Sequence, residues 1–293
     1  MHDKLFFFGA LFSLVACSGN TVEVGGYSQS DAGPSQATTD AATTAPNGAK
    51  IEIHLRASTA KVPHADALSG QTPSDQKIGI RSLALLTDPS APPLVVFDHG
   101  ESAVEAGLND KDDTVVATVL ASSLRAGTYT LARVGISHVR YRVAATMHTL
   151  GQSVAGTFNN LQVLSDGSLI DGATQNKGHY RFTFEVGGKA LATQPGEGGP
   201  LPEVPSGGGI SMSSSGPETA YVFPINLPVD PTIGTDVKML FDINTNENFR
   251  WQDEPAAGHQ PKVFDVTPTT FEPVKSFGAN SFQLTADFSA SSP

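Results

Sequence analysis

The residues best suited to chemistry close one strand of the chain. Asp242-Ile243-Asn244-Thr245-Asn246-Glu247-Asn248 sets oxygen side chains at every second position. Aligned with a twelve-residue calcium loop, Asp242, Asn244, Asn246 and Asn248 take the first four odd ligand positions and Asp253 the closing one. Glu247 stands where such loops need glycine, and Asp253 is shorter than the usual bidentate Glu. Asn and Asp also favour tight turns by bonding their own backbone, so a weak calcium site and a plain turn are both open. Asn109-Asp110-Lys111-Asp112-Asp113 carries the same ambiguity. A second chemistry, hydrolysis through carboxylates, has one candidate. Asp98-His99-Gly100-Glu101-Ser102 gathers two carboxylates and an imidazole after a strand end, and would need to cluster in a pocket to work. His138 and His148 lie on one expected strand, about 33 Å apart if it is straight, too far to share an ion. His54, His138 and His179 are expected on polar, solvated strand faces. Ser153 follows Gly151 but precedes Ala155, so the G-x-S-x-G elbow is absent, and no phosphate-cradling G-x-x-x-x-G-K-[ST] occurs.

Those groups must be carried by strands. The 293 residues include 29 Gly and 20 Pro but only 16% charged residues, a balance that favours turn-rich β structure over long charged helices. Ile51, Ile53 and Leu55 alternate with Glu52, His54 and Arg56, as a half-buried strand requires. Tyr180, Phe182, Phe184 and Val186 alternate in the same way. Further strands are expected at 77–87, 94–98, 128–136, 139–147, 161–164, 220–227, 237–243, 262–266 and 282–288. The 115–124 stretch is read as a strand, although its spacing also suits a short helix. Asp166-Gly167 and Asp171-Gly172 are hairpin signals. Trp251 shares strand parity with Phe249, which suits core packing or a stacking platform for a sugar. With 29 acidic against 18 basic residues, the net charge of −11 excludes binding to nucleic acid by phosphate neutralisation.

The first residues do a different job. Residues 5–16, LFFFGALFSLVA, form an apolar run behind Lys4 that is too short to span a bilayer. It ends in Leu14-Val15-Ala16-Cys17, which resembles the lipobox of bacterial lipoproteins. The resemblance implies cleavage before Cys17 and acylation of its thiol, with the lipid bilayer as partner. It places the protein at the cell envelope. No Asp follows Cys17, so the outer membrane is the expected site if the source is Gram-negative. A lone Cys has no internal disulfide to make, which agrees with this use. Leu124-Arg125-Ala126-Gly127-Thr128-Tyr129 resembles the tyrosine corner of Greek-key sandwiches and the same entry in transthyretin-like modules of bacterial surface proteins.

The chain therefore divides into a signal peptide at 1–16, an acylated Cys and flexible tether at 17–48, and a sandwich body at 49–194. A Gly/Pro/Ser-rich loop or linker follows at 195–217, and a C-terminal β segment at 218–293 is expected to dock on the body. The expected function is that of a membrane-anchored surface lipoprotein, a non-catalytic binding or structural module meeting an envelope protein or polysaccharide. The alternatives are an envelope or extracellular polymer hydrolase using carboxylates and a calcium-stabilised adhesion or carbohydrate-binding module.

Overall fold

The computed structural model describes residues 48–199, 201–202, 209–214 and 216–288. The apolar run at 5–16, Cys17 and most of the tether lie outside the described residues. Nineteen strands follow in order: β1 (Lys50–Ser58), β2 (Ser69–Gln71), β3 (Ser74–Leu86), β4 (Leu94–Asp98), β5 (Val104–Gly107), β6 (Asp113–Leu120), β7 (Gly127–Thr149), β8 (Gln152–Val163), β9 (Ser168–Ile170) and β10 (Ala173–Gln175). The remainder are β11 (Tyr180–Val186), β12 (Lys189–Gly196), β13 (Ser211–Ser213), β14 (Thr219–Val229), β15 (Val237–Asn244), β16 (Phe249–Trp251), β17 (Asp265–Val266), β18 (Val274–Ser276) and β19 (Ser281–Ala286). No helix among the described residues is long and apolar enough to cross a membrane. The fold is an all-β sandwich.

The strand β7 organises the larger, ten-stranded sheet. From His138 to Thr149 it pairs with β8, and from Gly127 to Ile136 with β14, so the two partners occupy one edge of β7 in succession. Its other edge takes β3 from Leu131 to Arg142, and β17 joins beyond that at Thr146 and Met147. Where β8 and β14 part, the freed backbone needs new partners, because an unpaired buried amide or carbonyl is costly. Ser165 supplies them: its buried hydroxyl donates to the Ile136 carbonyl at 2.5 Å and accepts from the Thr219 amide at 2.9 Å.

The smaller sheet runs β19-β15-β1-β6. The alternation read at 51–55 holds, since Ile51, Ile53 and Leu55 are buried, as are Met239, Phe241 and Ile243 on β15. Phe223 of the larger sheet stacks on Phe241 at 5.5 Å and on Phe282 at 5.6 Å, joining the two layers. A second aromatic group centres on Phe264, with Phe249, Phe158 and Trp251 around it. The C-terminal strands are woven into both layers: β14 enters the large sheet, while β15 lies parallel to β1 and antiparallel to β19. The described residues accordingly form one compact unit. The loop expected at 195–217 is partly strand, because β12 extends to Gly196 and β13 pairs with β14.

Turn chemistry follows the sequence at Asp171-Gly172, where φ values of 53° and 80° join β9 to β10 in a two-residue hairpin. The β7–β8 hairpin uses Leu150-Gly151, with φ of 50° and 74°. Tyr129 donates its hydroxyl to the Arg125 carbonyl at 2.9 Å, the bond that a tyrosine corner makes.

Candidate functional site

Each residue of the Asn-rich turn has partners within the protein. Asp242 accepts two bonds from the Arg56 guanidinium, at 2.7 and 2.8 Å, across the β1–β15 pair. The Asn244 side chain donates to the Ala60 carbonyl and accepts from the Asn246 amide and from Asn280. Asn246 accepts from the Val62 amide, and Asn248 donates to the Gly278 carbonyl. Asp253 accepts from the Ser69 hydroxyl at 2.6 Å and from the Trp251 indole at 3.0 Å. Glu247 adopts φ of 46°, the left-handed conformation that a calcium loop assigns to glycine. In the weaker candidate, Asp110 and Asp112 likewise bond neighbouring amides, of Thr59 and Asn109.

The Asp98–Ser102 group is a turn in which Asp98 and His99 bond separate backbone partners. Asp98 accepts from the Gly100 amide, and His99 donates to the Val116 carbonyl at 2.8 Å. Trp251 is fully buried and offers no stacking platform to solvent.

Two of the expected solvated histidines are corrected. His54 is buried, with its ring 2.7 Å from Asp113 on the neighbouring strand. His138 is buried because Gly79 beside it has no side chain; a Cβ there would lie 2.5 Å from the His138 ring. Desolvation pushes the His138 pKa down, against the hydrogen bond that its Nε2 donates to Glu105 at 3.2 Å, and Arg140 adds to the depression.

On the other side of the molecule's chemistry is a polar groove of about 470 Å³ crossing β3, β7, β8 and β11. Strand alternation projects Arg140 and Arg142 from β7 to its outer face, and Arg181 comes from β11. Arg142 donates to Asn159 at 2.9 Å, Asp75 at 3.0 Å and Glu185 at 2.8 Å. Asp171 binds both Arg140 at 2.8 Å and Arg181 at 2.9 Å, and these two hold its carboxyl below the usual range. Glu105 joins Lys77 and Arg140; burial works to raise its pKa, but the bonds from Lys77 and His138 and the Arg140 charge outweigh that and leave it lowered. The lining is thus a lattice of guanidinium, carboxylate, amide and hydroxyl groups, with Thr183 and Asn159 among them.

A polar cluster around two buried carboxylates was not visible in the sequence. It forms where the 252–273 segment folds back on the β7–β8 hairpin. Phe264 accepts from the Thr146 amide at 2.9 Å, which seats β17 beside β7. A turn closed by the Thr267 amide on the Thr270 carbonyl then returns the chain, so that Val266 faces Phe271 and Glu272 faces Asp265. The Glu272 carboxylate accepts from the amides of Glu254 and Asp265 at 2.8 and 2.9 Å, and Asp265 accepts from the Gln260 amide at 2.9 Å. Both side chains are 1% exposed. Burial, then the charges of Asp265 and Asp253, raise the Glu272 pKa.

Two imidazoles cover these carboxylates. His148 Nε2 lies 2.7 Å from Asp265 Oδ1, and its Nδ1 lies 2.9 Å from Ser153 Oγ on the paired strand. The His259 ring stacks on His148 with centroids 4.9 Å apart, and its Nδ1 is 3.7 Å from Glu272 Oε1. Gly258, at φ of 89°, lets the backbone pass close to His148, where a Cβ would stand 3.1 Å from the ring. A ligand atom from each of His259, Asp265 and Glu272 lies within 4.8 Å of the other two.

Fold and site together define an all-β sandwich with a polar groove on one sheet and a buried histidine–carboxylate cluster beside a hairpin. The sequence matches no protein-family model, and no curated protein or solved structure is significantly similar to it.

Proposed function

We propose that this chain is a membrane-anchored surface lipoprotein whose β-sandwich acts as a non-catalytic binding module for an envelope polysaccharide. The groove lined by Arg140, Arg142 and Arg181 carries the reading. Its forked guanidinium donors, interleaved with carboxylate, amide and hydroxyl groups, suit a ligand that presents many hydroxyls or carboxylates. The lipobox-like Leu14-Val15-Ala16-Cys17 supplies the anchor. A flexible tether of the length of 18–48 has a root-mean-square span of about 30 Å, enough to carry the sandwich clear of lipid headgroups. Two tests apply. Cys17→Ser is expected to release the protein from the membrane fraction or to block its maturation; a processed Cys17→Ser protein that stays membrane-bound overturns the anchor. Arg142→Ala with Arg181→Ala is expected to weaken co-sedimentation with envelope polysaccharide by about tenfold or more, the loss of about 1.4 kcal/mol. Equal co-sedimentation of parent and variant removes the groove from the argument.

A second reading, an envelope-polymer hydrolase, has one specific observation in its favour. Ser153, His148 and Asp265 are hydrogen-bonded in series, and a neutral imidazole held by a carboxylate can take a proton from a hydroxyl. Labelling by a fluorophosphonate that Ser153→Ala abolishes supports it. An unlabelled parent protein removes it.

A further inference from the structure

We propose that His259, Asp265 and Glu272 form a binding site for a divalent transition-metal ion of the zinc class, with His148 and Ser153 as its outer hydrogen-bonding partners. The first argument is charge. Two carboxylates, each 1% exposed, face one another, and among the described residues their ion-pair partners are histidines alone; neither has a Lys or Arg. A buried carboxylate without a compensating cation is costly, and a divalent ion would neutralise both.

Ligand capacity is the second argument. Each carboxylate oxygen accepts one N–H donor and keeps a second lone pair. The existing bonds therefore orient the carboxylates without exhausting them, whereas His259 Nδ1 donates to the Glu254 carbonyl at 3.1 Å and must give up that bond and its proton to ligate. Donors around a tetrahedral zinc ion, at ~2.0–2.2 Å from it, stand ~3.4 Å from one another. The three ligand atoms, within 4.8 Å, need to close by up to about 1.4 Å. His259 Nδ1 and Glu272 Oε1 are already at 3.7 Å.

Donor type sets the metal class. One imidazole nitrogen with two carboxylates suits zinc and its neighbours, whereas calcium wants six to eight oxygens. His148 then plays the part that outer residues play at such centres: its Nε2–H holds Asp265 Oδ1, while Ser153 fixes the ring. Three protein ligands leave a fourth position for water or a ligand atom.

The test uses the untagged full chain carrying Cys17→Ser, which removes the thiol as a competing ligand. Cobalt(II) should give visible absorption bands that saturate at one equivalent and disappear on adding zinc. Zinc should raise the melting temperature by several degrees, and calcium should not. His259→Ala should weaken cobalt binding at least tenfold, as should the isosteric Glu272→Gln, and His148→Gln should weaken it less. Near-ultraviolet circular dichroism of Trp251 checks that each variant is folded. A parent protein without visible bands overturns the site. So do bands that persist unchanged in folded His259→Ala, or calcium stabilising as well as zinc.

Discussion

Replacing Phe264 with Ala removes the ring at the centre of the second aromatic group. Phe264 is fully buried, with ring centroids 4.9 Å from Phe249, 5.5 Å from Phe158 and 5.6 Å from Trp251. Those neighbours belong to β8 and β16, both held in their own sheets, so the space is poorly placed to collapse. A Phe→Ala change at such a site costs about 3–5 kcal/mol. The described unit of about 240 residues has an unfolding entropy of ~0.5 kcal/mol/K near its midpoint, which converts that loss to a fall of about 6–10 °C in melting temperature. The backbone carbonyl that accepts from Thr146 is kept, so the loss belongs to the ring. Thermal melting by far-ultraviolet circular dichroism measures it, and the near-ultraviolet signal of Trp251 reports the same transition locally. Phe264→Leu should recover more than half of the difference. A fall of less than about 2 °C for Phe264→Ala would show that the 252–273 segment is held by something other than this ring.

Leu150 sits at the tip of the β7–β8 hairpin at φ of 50° and 99% exposed, so Leu150→Gly should relieve about 1 kcal/mol of left-handed strain; a melting temperature raised by about 2 °C is expected, and a lowered one refutes the strain. Because burial depresses the His138 pKa below 6.5, this group's contribution to stability is present above that value and lost as pH falls through the folded-state pKa. The parent should therefore lose stability more steeply below pH 6.5 than His138→Gln does, and parallel melting curves across pH would contradict the assignment. Millimolar calcium should shift the melting temperatures of the parent and Asp242→Ala equally or not at all, since Arg56 already holds Asp242 by two bonds. A shift confined to the parent would restore the calcium-loop reading.

What was legible in the sequence was local. Alternation at 51–55, the Asp171-Gly172 turn and the tyrosine-corner residues each express a rule that acts within a few positions, and each is found in the fold. Burial of His54 and His138 escaped that reasoning because the second face of each strand is also occupied. Alternation tells which side chains share a face, and the neighbouring strands decide whether that face is wet. Gly79 is the particular cause at His138, and it comes from β3, some 59 positions away in the chain. The His148 cluster is harder still to read. Its members join β7 to an irregular segment more than a hundred residues later, and the intervals between His259, Asp265 and Glu272 follow neither strand nor helix periodicity.

That irregularity has a physical origin which bears on the metal proposal. Between β16 and β18 the chain has only the two residues of β17 in regular pairing, so most of its buried amides lack a ladder partner. The carboxylates of Asp265 and Glu272 take over that role, accepting from the amides of Gln260, Glu254 and Asp265 itself. Charged acceptors make stronger bonds than carbonyls, but they bring two negative charges into a site with no Lys or Arg partner. Glu272 takes an amide on each oxygen, which a Gln could not do, but Asp265 takes only one, and an Asn there could have made that bond without the charge. The pairing of ionisable acceptors with two imidazoles is therefore the feature that a purely structural role leaves unexplained. The isosteric Asp265→Asn change separates the two roles, since its carbonyl oxygen keeps the Gln260 amide bond while the charge a cation would need is removed.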